Sequence, residues 1–302
     1  MSKDNRPNKM RDVFCIALMI VPFLLGIALK VLTSPATEGI TVTGSQIYFT
    51  INMPLQPLEI TESQVVSLIV ILSTLGLCLY MTNGIALMPG SKRQLLAEWV
   101  VEKVENMVTS NMGARFSQFA PFVAAILLLS ALSSLSSLLG LHPPTSDINI
   151  VAGWAILVFF LITYYKLKGG LWNYVKGFAD PIPFFAPFNV ISEVATPISM
   201  SFRHYGNVLS GVVISTMIAV ALSGLSNAIL GAIPVVGNLS LLRIGLPAVL
   251  SLYFDLFSGC LQAYIFAMLT MLYVSNGFPA EAWEKRQAKK RARLEKRSAQ
   301  KA

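Results

Sequence analysis

The stretch FNVISEVATPISMSFRHYGNVLSGVVISTMIAVALSGLSNAIL, Phe188 to Leu230, decides the fold. Its only charged residues are Glu193 and Arg203. A helix needs about 20 apolar residues to cross the hydrocarbon. A run this long therefore predicts a transmembrane helix that is steeply tilted or broken. Ile244 to Val274 is a second run of the same kind, with Asp255 as its single charge. Working outward, Val13 to Leu32, Ser63 to Ser91 with its apolar centre Val65 to Leu87, Phe119 to Leu141, and Ile148 to Tyr165 each suffice for one crossing. Six crossings follow. The composition agrees: of 302 residues 54% are hydrophobic and 13% charged, about half the charge of a soluble domain. That excludes a disordered chain and argues against a soluble enzyme.

Lys and Arg number 23 against 15 Asp and Glu, a formal net charge of +8. Basic residues stay on the cytoplasmic side of membrane proteins. With a cytoplasmic N-terminus, 20 of the 23 lie in inner segments, nine of them after Trp283. The outer loop from Val31 to Gln64 holds three Glu and no Lys or Arg. Lys30 and Arg203 lie inside spans, and Arg243 is the one basic residue placed outside. Both termini are expected in the cytoplasm. Nucleic-acid binding is the rival reading of the charge, but no RNA- or DNA-binding motif accompanies it. Cys15, Cys78 and Cys260 sit in apolar runs without metal-ligand spacing, as small packing residues do.

The chain divides into an N-terminal end and extra span (1–33), an outer loop (34–64), a membrane domain (65–280) and a basic tail (281–302). The first span has two readings. Ser34 and Ala36 after a Lys/Arg-flanked apolar run suit a cleaved signal peptide, whereas the length of that run favours a retained helix. Between the second and third spans, Gln94 to Met107 sets Leu96, Val100, Val104 and Met107 opposite Glu98, Glu102 and Glu105. That pattern predicts an amphipathic helix in the inner interface. No internal repeat is visible, which counts against an inverted-repeat transporter.

Glu193, Arg203 and Asp255 are costly inside a bilayer; an Arg at mid-membrane costs about 2.5–3.5 kcal/mol on insertion scales. Arg203 lies 15 residues after Phe188, about 22 Å of helix, too deep for easy snorkelling. Ser199, Arg203, Gly206/Asn207 and Ser210/Gly211 make one small, polar stripe at helical spacing. Ser251, Asp255, Ser258/Gly259 and Gln262 make a matching one. Small residues let helices approach closely, which explains the Gly and Ser but not the Arg and Asp. With an outer turn centred between Pro234 and Gly237, Gln262 falls near the level of Arg203. Asp255 then falls roughly 20 Å nearer the outer turn, and Glu193 about 15 Å on the inner side. An acid on each side of a fixed cation suits two offset aqueous half-channels.

Pro197-Ile-Ser-Met-Ser-Phe-Arg203-His-Tyr-Gly-Asn207 resembles the signature of subunit a of F-type ATP synthases, the stator channel beside the rotating c-ring. Leu261 to Thr270 is similar to the last-helix signature of that family, and Pro144-Thr-Ser-Asp147-Ile-Asn149 and Met88 to Gln94 match further blocks, all in the family's order from about Asn52 to Gly277. The resemblance implies an all-α membrane protein whose last two long helices form a tilted hairpin. Arg203 would meet the c-ring carboxylate, with Asn207 and Gln262 as polar neighbours. Asp255 would stand in the outer half-channel, Glu193 in the inner one, and Asp147 and Asn149 at a channel mouth. The implied partners are the c-ring, the subunit b peripheral stalk, indirectly the F1 sector, and the lipid of a bacterial cell membrane, with no cofactor, no metal and no nucleic acid. Two departures stand out. Val212 occupies the position nine after Arg203 where many relatives carry Glu or His, and the span before Leu32 exceeds the shorter relatives. The rival functions are a self-contained secondary ion transporter and a structural subunit whose Arg pairs with a partner. His204, next to Arg203 but on another helix face, is expected to be a packing residue.

Overall fold

The computed structural model describes residues 9–33, 44–54, 56–86, 91–179, 182–230 and 249–281, with positions 245, 283–285 and 288. Among the described residues six helices are long and apolar enough to cross a membrane: Lys9–Thr33, Glu62–Thr82, Ala114–Leu139, Ile148–Leu167, Pro183–Ser226 and Val249–Gly277. The six expected crossings and the all-α class are therefore found. Ser34 and Ala36, the start of the Met88 block, the turn around Pro234–Gly237, Arg243 and most of the basic tail lie outside the described residues.

In chain order the helices are α1 (Lys9–Thr33), α2 (Glu62–Thr82), α3 (Lys92–Met112), α4 (Ala120–Leu135), α5 (Ile148–Leu167), α6 (Leu171–Phe178), α7 (Ala186–Leu230) and α8 (Gly259–Gly277). α7 holds 45 residues in one helix, with Pro197 inside it. At 1.5 Å per residue that is about 67 Å, twice the hydrocarbon thickness. Two features depart from the sequence reading. The outer-loop segment contains an antiparallel hairpin, β1 (Ile47–Ile51) paired with β2 (Leu58–Thr61). The last span is not uniform either: Leu252–Ser258 winds as a π-helix before α8 begins, a form concentrated at functional sites.

The chain forms two compact units, one of residues through Val151 with Arg203–Ala267, the other of Ala152–Phe202 with residues from Met268 onward. In the first unit α1 and α2 pack backbone to backbone. A Cβ on Gly76 would lie 2.8 Å from the Met19 backbone nitrogen, so only glycine permits this approach. Ser73 Oγ donates to the Met19 carbonyl at 2.9 Å. Val66, Val70 and Leu141 form a core with Phe23, Ile27, Leu129 and Leu132. Charged pairs close both ends of α1: Arg93 holds Asp12 at 2.7 Å, and Lys30 holds Glu62 at 2.9 Å. Glu62 is nearly fully buried and also accepts from the His142 backbone N–H at 3.0 Å.

α3 forms where the amphipathic helix is expected. Gln94, Val108 and Met112 are buried, whereas Leu96 and Val100 of the predicted stripe are exposed, as are Leu95 and Trp99. Leu95, Leu96, Trp99 and Val100 are thus left uncovered by protein, a pattern that suits a helix at headgroup depth. In the second unit, a Cβ on Gly277 would meet Lys166 side-chain carbons at 3.1 Å. Tyr165 and Phe278 stack edge to face at 6.4 Å.

Candidate functional site

Helix α7 presents Arg203 on an exposed face. Phe202 and Ile198 beside it are exposed too, as are Met217 and Val220 further along. Among the described residues no carboxylate pairs with Arg203 and no side chain hydrogen-bonds to it. A permanently charged guanidinium on an otherwise apolar membrane face needs an anion from elsewhere.

The antiparallel pairing of α7 with the last span fixes what surrounds that level. Ser258 Oγ donates to Asn207 Oδ1 at 2.9 Å. One turn further along α7, Gly211 leaves room for Phe254, whose Cβ would stand 3.0 Å from a Cβ placed there. Four residues forward on α7 thus match four residues back on its neighbour. The reverse step, from Asn207 toward Arg203 and from Ser258 toward Gln262, leads to the contact of His204 with Phe266, four residues beyond Gln262. Gln262 itself is buried.

Asp255 is the correction. Seven residues from Gln262, it lies about 10 Å from the Arg203 level, half the separation expected from a turn centred on Pro234–Gly237. The observed register centres the helix pair a few residues earlier than that assumed turn. Asp255 therefore shares a small cavity with Asn207, lined also by Ser134, Ser137, Phe254 and Gly259. Its carboxylate accepts from the Ser251 hydroxyl one turn before it.

Glu193 has a setting of its own in the second unit. Lys166 Nζ lies 3.0 Å from its carboxylate, and the Tyr174 hydroxyl donates to the same oxygen at 3.0 Å. A cavity of about 400 Å³ opens beside them, lined by Asn173, Asn189, Ser192, Thr196 and Asn276. Burial, followed by the carboxylate it faces, pushes the Tyr174 phenol up to about 12. It therefore remains a donor throughout the neutral range.

Asp147 and Asn149 stand at the start of α5, where Asp147 Oδ1 accepts from the Asn149 backbone N–H at 2.9 Å. That is the N-cap geometry that short acidic side chains provide. They are not brought together with Arg203, Asn207 or Asp255. His204 is fully buried, edge-on to Phe266 at 5.5 Å and 3.4 Å from Ser130 Oγ, a packing position as expected. Sequence reasoning missed Glu62, Lys166, Tyr174 and Ser134. Lys166 and Tyr174 were legible only as basic and aromatic residues at a span's end. Glu62 carried one local sign, since Thr61 and Gln64 flank it in a capping-box pattern.

Fold and site together define a multi-pass helical membrane protein with an exposed arginine on a long apolar helix, unpaired among the described residues, and polar cavities beside its long helices. Residues 64–275 match the family model described as ATP synthase A chain. The ATP synthase subunit a of Bacillus subtilis (strain 168) is 32% identical over 233 residues, spanning 72% of this chain and 89% of the relative. That of Bacillus pumilus (strain SAFR-032) is 32% identical over 200 residues, spanning 62% of this chain and 79% of the relative. ATP synthase subunit a 1 of Crocosphaera subtropica is 27% identical over 212 residues, spanning 70% and 83%. The chain belongs to the ATP synthase A chain family.

Proposed function

We propose that this chain is the stator ion channel of the membrane sector of a bacterial F-type ATP synthase, in which Arg203 faces the carboxylates of a rotating c-ring. The observation that carries the reading is the exposed Arg203 with no acidic partner among the described residues. H+ or Na+ enters from outside past Asp255 and Asn207 and neutralises a rotor carboxylate, which can then face lipid. After nearly a full turn the ion leaves past Glu193. Arg203 favours the ionised rotor carboxylate, because an opposite charge within a few ångströms stabilises the charged form. The same fixed charge repels cations that would leak straight through. Gln262 is a polar neighbour of Arg203, and Asp147 and Asn149 border a channel mouth.

The chain carries out no ATP chemistry itself. It works within a complex that includes the c-ring, a peripheral stalk of subunit b and, through that stalk, the F1 sector. Its basic segments support a cytoplasmic location for both termini, with residues 65–280 as the channel. The retained reading of α1 is supported by its close packing on α2 and by the Lys30–Glu62 pair.

Ion flux into proteoliposomes tests the reading against its rivals. Purified chain alone should conduct no ion, and chain assembled with a c-ring should conduct. Flux by the chain alone would instead identify a self-contained transporter, and no flux in either case a structural subunit.

A further inference from the structure

The cavity between Asn207 and Asp255 holds about 10 Å³, the space of roughly one water molecule. A water kept in such a place needs two to four polar partners, and the walls supply them. Asp255 offers a carboxylate. Asn207 has its Oδ1 engaged by Ser258, which leaves its amide N–H groups to donate. The third wall is Ser134 of α4, which is 3% exposed, and its hydroxyl is buried with no hydrogen-bond partner among the described residues. Leaving a buried hydroxyl unpartnered costs about 1–3 kcal/mol, and an apolar residue would avoid that cost.

Ser134 is also held tightly in place. A Cβ on Gly259 would lie 2.7 Å from Ser134 Cβ, so the absence of a side chain at 259 is what lets the hydroxyl reach this cavity. Ser137, the remaining hydroxyl of the wall, donates back to the Ser134 carbonyl at 2.7 Å. It thereby braces the turn that carries Ser134.

We infer that Ser134 is a positioning residue of the outer ion path, anchoring one relay water between Asp255 and Asn207. The inference rests on the proposed outer route with H+ as the ion, and assigns that route a residue and a mode of transfer. As the Asp255 carboxyl O–H bond breaks, an O–H bond to the water forms. One of the water's original O–H bonds breaks onward toward the rotor carboxylate. Asp255 is left ionised and the water is regenerated. The hydroxyl of Ser134 fixes the water's orientation and exchanges no proton in the balance.

The test uses the intact ATP synthase in proteoliposomes, with H+ flux and ATP synthesis driven by an imposed gradient. Ser134→Ala should slow both several-fold in a complex that assembles normally, and Gly259→Ala should do the same by displacing the hydroxyl. Ser134→Cys should make the flux sensitive to Ag+ added on the outer side, while Ser134→Ala remains insensitive to it. A purely structural serine would not produce that block. Ser134→Ala at the wild-type rate, or Ser134→Cys indifferent to Ag+, overturns the inference. Asp255→Asn tells the two levels apart. If it is slow while Ser134→Ala is not, the water site alone fails; if it is unaltered, the outer route itself fails.

Discussion

Arg203 and Glu193 share helix α7 but have opposite circumstances. Arg203 is exposed with no acid beside it among the described residues, while Glu193 is held by Lys166 and Tyr174. Removing Lys166 would leave a carboxylate whose side chain is only 9% exposed without its cation. A fully buried broken pair costs about 3–5 kcal/mol. Because the Lys166 side chain is 28% exposed, Lys166→Met is expected to cost about 1–3 kcal/mol. The heat-inactivation midpoint of the complex should fall, and adding Glu193→Gln should restore most of it. His142 gives a pH signature. Burial first, then Lys30, holds its imidazole below the usual value against the opposing pull of Glu62 and Asp147. The folded state therefore prefers the neutral ring. The associated stability is complete above a pH of about 6.5 and declines as pH falls toward the lowered folded value. Thermal midpoints taken between pH 8 and 5 should drop less in His142→Asn than in the native chain.

Among the elements, the spans were legible because apolar length is a strong and local signal. Arg203, Glu193 and Asp255 were legible because charge is expensive in hydrocarbon. The π-helical turn was not, since nothing in Leu252–Ser258 marks a five-residue hydrogen-bond step. The small cavity beside Asp255 was hidden for a related reason: it depends on the register between helices distant in sequence. The lining serines of α4 read as ordinary small packing residues until Gly259 is seen pressed against Ser134. Which side of α3 meets protein was not legible, because lipid and protein both reward apolar side chains and periodicity alone cannot divide them: Gln94, Val108 and Met112 are buried while Leu96 and Val100 stay exposed. Gly76 offers a clean test of element packing. Gly76→Val would drive carbon into the α1 backbone and should destabilise the complex by about 1–3 kcal/mol or more, as overpacking does. Limited proteolysis should then release the α1 segment while leaving ion-path residues chemically intact.

At the scale of the whole molecule, the proposed function asks one permanent charge, that of Arg203, to separate two ion routes, so that ions pass only by riding a moving partner. The membrane potential supplies about 2.3 kcal/mol per elementary charge per 100 mV, and several ions must therefore cross for each ATP made. On the proposed function, Val212, where many relatives carry Glu or His, leaves Asp255 to serve as the acid of the outer route. Asp255→Asn should accordingly slow ion entry from outside more than exit on the other side, measured as synthesis against hydrolysis-driven pumping. The central claim concerns Arg203 and is tested most directly by coupled ATP synthesis in Arg203→Ala membranes, with assembly verified by the amount of c-ring and F1 that co-purify. The account predicts a fully assembled complex that makes no ATP from an imposed ion gradient; synthesis persisting at a substantial fraction of the native rate would contradict it.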